Sequence, residues 1–90
     1  MIPETTFETS YISTATTTTI KTGKGKLHSI TVGETAAGAI TIYDNTAASG
    51  TIISVLKSSV PEQTFVFNAV FRTGLTIVTA AASKITVSYL

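Results

Sequence analysis

Ninety residues with six Lys or Arg, five Asp or Glu and no cysteine are the length of one domain, at roughly 100–200 residues per domain. They exclude a disulfide-stapled scaffold, a thiolate metal site and a cysteine nucleophile. The net charge of +1 supplies no global field to draw the chain onto nucleic acid or an acidic membrane.

Only 12% of the residues are charged, against a usual share of about 25%, and nineteen threonines take their place. Charge, Lys and Pro are what normally keep sheet edges apart, so a β-chain this poor in charge points to a surface that other chains cover. No apolar run approaches the ~20 residues of a membrane helix. The start, MIPETTFETSYI, has neither the basic beginning nor the apolar stretch of a signal peptide. Neither membrane anchoring nor signal-peptide export is expected.

In chain order the sequence reads as about eight short strands and no helix of standard length, because no window sustains an i, i+3, i+4, i+7 apolar pattern with caps. FETSYI (7–12) alternates Phe7, Thr9 and Tyr11 on one face, and TTTTIK (16–21) follows with little apolar content. KLHSITVG (26–33) sets Ile30 and Val32 on one face, and GETAAG (33–38) is a turn region. AITIYDN (39–45) sets Ile40 and Ile42 opposite Tyr43, and NTAASG (45–50) is a loop of small, turn-prone residues. TIISVLKS (51–58) is apolar on both faces, as a covered strand would be. SVPEQ (59–63) is broken by Pro61, which cannot donate to a ladder. TFVFNAVF (64–71) alternates Phe65, Phe67, Ala69 and Phe71; after the RTG turn (72–74) comes LTIVT (75–79), then AAAS (80–83). KITVSYL (84–90) closes with Ile85, Val87 and Tyr89 on one face. Strands 8–12 residues apart with turn signals between them predict an all-β antiparallel sandwich, jelly-roll-like at this strand number. An immunoglobulin-like sandwich is the competing architecture.

Residues 1–25 are poor in large apolar groups, and Thr16 to Thr19 form a low-complexity run. They read as an N-terminal strand or arm: an edge strand of the same chain, an extension that pairs with a neighbouring subunit by strand addition, or a disordered segment. Residues 26–90 read as the sandwich core.

Catalytic chemistry finds little support. His28 is the single histidine, and no G-x-S-x-G elbow accompanies it. The carboxylates Glu4, Glu8, Glu34, Asp44 and Glu62 are scattered over different strands and loops, not paired across a cleft. No calcium loop or zinc cluster is present, and Asp44-Asn45 at a strand end reads as a turn former capping its own backbone. The expectation is a non-enzyme with no catalytic residue, metal or cofactor. KTGKGK (21–26) lacks the P-loop spacing and reads as a solvated hairpin turn. Its Lys21, Lys24 and Lys26, together with Phe7 and Tyr11, are the candidates for docking onto another surface. Tyr11 and Tyr43 are the candidate platforms for stacking on a sugar.

LHSITVGETAAGAITIYDNTAASGTII and FNAVFRTGLTIVTAAASKITVSYL, with Tyr43-Asp44, Ser49-Gly50-Thr51, Phe71, Gly74-Leu75 and Ile85 to Tyr89 in that order, resemble small structural proteins of tailed bacteriophages. The resemblance spans roughly residues 26–90, and its motifs are structural, not chemical. It implies a virion location at the capsid surface, as a decoration (cement) or head-associated protein. It also implies a homo-oligomer, with a trimer favoured, and contact with the major capsid protein. No nucleic-acid or membrane partner is expected. The other function consistent with the residues is a glycan- or cell-surface-binding module of a phage adhesin.

Overall fold

The computed structural model describes residues 7–90. Among these residues there are eight strands: β1 (Glu8–Ile12), β2 (Thr16–Thr22), β3 (Gly25–Glu34), β4 (Ile40–Asp44), β5 (Thr51–Leu56), β6 (Thr64–Phe71), β7 (Gly74–Thr79) and β8 (Lys84–Tyr89). They form two four-stranded sheets, ordered β1-β8-β3-β6 and β2-β7-β4-β5, and all pairings are antiparallel. The pairs β1·β8, β2·β7, β3·β6 and β4·β5 are successive rungs of one long ribbon that doubles back at the β4–β5 loop. Rolling the ribbon round the core adds β3·β8 and β4·β7. This is a jelly roll, not the immunoglobulin arrangement, in which the strands divide as ABED and CFG.

The core follows from the period-2 alternation of each strand. Ile12, Leu27, Ile30, Val32, Ile40, Ile42, Leu56, Val60, Phe71, Leu75, Ile77, Ile85 and Val87 are buried together, with Ile20, Ile53, Phe65, Phe67 and Tyr89 packed against them. β2 contributes almost no apolar side chain, and hydroxyl bonding holds it instead. The Thr79 hydroxyl donates to the Thr14 carbonyl at 2.6 Å and accepts from the Thr16 N–H at 3.1 Å. On the other side of the sheet the Thr76 hydroxyl donates to the Asn45 carbonyl at 2.8 Å and lies 3.3 Å from the Thr19 hydroxyl. Threonine suits this strand because it is β-branched and carries its own donor and acceptor.

Two expectations are revised. β5 is not a covered strand but the free edge of its sheet, and Ile52 and Val55 are each about half exposed there (51% and 52%). An apolar pattern on both faces looks the same whether a neighbouring strand or solvent lies beside it. Segment 21–26 is not a hairpin turn: β2 and β3 belong to different sheets, so the turn carries the chain across the sandwich. Residues 8–22 form edge strands of their own chain, the first of the two arrangements open to them, pairing with β8 and β7 and anchored by Ile12 and the threonine hydroxyls. Residues 1–6 lie outside the described residues.

Candidate functional site

The β2–β3 and β6–β7 turns cross between the sheets side by side, because they are adjacent rungs of the same ribbon. The Gly23 N–H donates to the Thr73 carbonyl at 2.9 Å and ties them together. Gly23 holds φ at +94°, a conformation that glycine reaches without strain. Lys21 and Lys26 flank this corner and Lys24 sits on its tip, while the crossing brings in Arg72, some 50 residues further along the chain. Lys24 and Arg72 are exposed, and Lys21 and Lys26 are half-buried. β3 leaves the corner at Gly25 and β6 arrives at it with Phe71.

Registers therefore segregate the charge. The corner end of the sandwich holds Lys21, Lys24, Lys26 and Arg72 against Glu8 and Asp44. The far end, about ten strand residues or ~33 Å away, holds Lys57 and Lys84 against Glu34 and Glu62. There Lys84 Nζ contacts Glu34 Oε2 at 3.0 Å, and Glu62 accepts the Thr35 N–H at 3.1 Å. The Glu34 hydrogen bond and charge raise the Lys84 ammonium above its ordinary value. The far end is thus balanced in charge, with Lys84 and Glu34 in contact, and the surplus of positive charge sits at the corner.

Asp44 braces the corner. Its Oδ1 accepts the N–H groups of Arg72 and Thr73, both at 2.9 Å, and of Gly74 at 3.4 Å; Oδ2 accepts Arg72 N–H at 3.0 Å. The sequence alone suggests that Asp44-Asn45 caps its own loop. Asn45 does so, accepting the Thr46 N–H and donating to the Ser49 carbonyl, both at 2.8 Å. Asp44 instead holds a turn 28 residues away. The Thr73 N–H above all, with the N–H groups of Arg72 and Gly74 and the Arg72 charge, lowers the carboxyl pKa, against a desolvation that raises it.

A group whose pKa is lower in the folded state stabilises the fold above its ordinary value, here 3.8. That contribution is lost as pH falls from there through the folded-state value. Asp44→Ala is expected to cost about 1–2 kcal/mol at neutral pH, by analogy with lost helix caps and charge-assisted hydrogen bonds. Thermal melts from pH 7 down to pH 2 check this: wild type and variant should converge in the acid range. Parallel curves would contradict the clamp.

The remaining candidates do not converge. Phe7 stacks on His28 with ring centroids 4.2 Å apart and a 30° tilt, so its ring is half-buried against its own chain. His28 Nδ1 lies 3.2 Å from the Ser29 hydroxyl. Tyr11 is 62% exposed on the outer face of one sheet, in a row with Thr86, Thr31 and Thr64. Tyr43 is half-buried on the outer face of the other sheet, beside Thr76 and Ile52. The two rings therefore form no shared platform. Among the described residues no pocket opens, and no three His, Cys, Asp or Glu side chains meet as metal ligands. The geometry offers surfaces, not a cavity. No protein-family model matches the sequence, and no curated protein matches it either.

Proposed function

We propose that this chain is a structural protein of a virion, a homo-oligomer that binds the capsid exterior and uses the basic corner as its docking surface. The observation that carries the reading is the charge segregation: four of the six cations stand on one hydrogen-bonded corner of a sandwich whose other end is charge-balanced. A projecting corner of that kind suits an acidic protein surface better than a small molecule. The resemblance over residues 26–90 points to the same class, and jelly rolls are frequent among capsid proteins. A protein that binds only the assembled shell stabilises it by linkage. The resemblance favours three copies.

The reading predicts co-sedimentation with purified capsids that weakens as salt is raised, because exposed charge pairs are screened. Charge reversal at the two exposed members, Lys24→Glu with Arg72→Glu, should weaken binding about ten-fold or more, at roughly 1 kcal/mol per partly desolvated pair. Salt-independent binding that survives the double reversal would remove the corner from the interface.

A further inference from the structure

The two flanks of the sandwich differ in kind. On one flank the edge strands are β1 and β2, and their outward residues are Thr9, Tyr11, Thr17 and Thr19. On the other flank the edge strands are β5 and β6, joined by the 57–63 connection. Their fourteen residues, TIISVL and TFVFNAVF, include no charge and no proline. Their large apolar outward residues are Ile52 and Val55 on one sheet and Val66 and Val70 on the other, exposed by 51%, 52%, 61% and 53%, with Thr64 and Asn68 exposed on the same face of β6.

We infer that a second copy of this chain covers the β5/β6 flank. The two copies are related by a two-fold axis perpendicular to the sheets, with β5 antiparallel to its counterpart and β6 to its own. Each four-stranded sheet would then continue into the other copy as eight strands. Three features favour this occupant. Antiparallel self-pairing sets each residue against the same segment, so a strand tolerates it when it carries no charge; like charges directly opposite destabilise a ladder. The nearest charge on β5's side, Lys57, follows its last residue, and antiparallel pairing places the two copies of it at opposite ends of the ladder. That is about six residues or ~20 Å apart, beyond the ~8 Å screening length at physiological salt.

The exposed side chains also gain partners of their own type. Ile52 and Val55 meet the same pair across the new β5 ladder, and Val66 and Val70 do so across the β6 ladder, as β-branched cross-strand neighbours. The area sets the strength. The sandwich is 17 Å thick, and eight strand residues run ~26 Å, so the flank projects roughly 450 Å² per copy. The total of roughly 900 Å² lies just below the size at which specific interfaces become stable. The dimer is accordingly concentration-dependent.

The inference rests on the homo-oligomeric part of the reading above and sets a two-fold contact in place of the three copies that the resemblance favours; its failure can be told apart from failure of that reading. Light scattering on a size-exclusion column at low and high micromolar protein should show the mass rising from one chain toward two. Ile52→Lys and Val66→Lys should each raise the dissociation constant at least ~10-fold, equivalent to one lost or repelled cross-strand cluster, while Thr17→Lys on the opposite flank leaves it unchanged. Amide exchange of the unsubstituted protein should slow at β5 and β6 with concentration, which keeps the test valid if a Lys variant folds poorly. One-chain mass at all concentrations overturns the inference, and so does a dimer that persists in both Lys variants. A three-chain mass also overturns this two-fold contact while leaving the oligomeric virion reading intact.

Discussion

Phe71→Ala should lower the thermal midpoint by roughly 12 °C or more, the largest single effect expected from a core change. Phe71 is fully buried at the end of β6, one residue before the basic corner. Truncating a buried Phe costs about 3–5 kcal/mol, and a domain of this length shifts by about 4–8 °C per kcal/mol. Total stability for ninety residues is on the order of 5–13 kcal/mol, so the variant approaches the unfolding threshold. The consequence reaches the corner, because Arg72 and the Asp44 clamp hang on the same turn. Capsid docking should therefore fall along with stability. Calorimetry checks the first part; a midpoint within 3 °C of the parent would mean that the ring is not a packing element.

Gly25→Ala should be the second largest, at about 2–3 kcal/mol, through overpacking. A methyl on Gly25 would stand 2.5 Å from the Phe71 ring and closer still to the Leu90 carbonyl. Backbone bonds on both sides leave little slack: Lys26 N–H donates to Leu90 O at 3.1 Å, and Leu90 N–H to Lys26 O at 2.8 Å. Glycine is required here for close approach, not for a positive φ. Since the methyl and the ring compete for one volume, Gly25→Ala with Phe71→Leu should cost less than the two single changes together. Strict additivity in denaturant unfolding would contradict the packing described.

The strands were legible because alternation is a local property. Ile40 and Ile42, Ile85 and Val87, and the β6 phenylalanines fall on the sides that period two assigns to them. What escaped was non-local. β5 looked covered because TIISVL has apolar residues on both faces, and only the strand order reveals that it is an edge. KTGKGK looked like a hairpin because its turn chemistry is the same whether the chain returns within a sheet or crosses to the other. Arg72 joined the lysines through a ribbon pairing that links positions some 50 residues apart. Asp44 looked like a local cap because an Asx side chain usually serves its own loop; its partners lie on the adjacent rung of the ribbon. The threonine run looked featureless, yet its bonds to Thr79 and Thr76 hold an edge strand that has few apolar residues. Residue type indicates that hydroxyls are available, and topology decides what they meet.

The most direct test of the central claim is quantitative mass spectrometry of purified particles from the lineage that encodes this chain. The account predicts that the chain co-purifies with intact capsids in a fixed ratio to the major capsid protein and is released by high salt. Absence from the particles, with the protein recovered wholly in the soluble fraction, would contradict it.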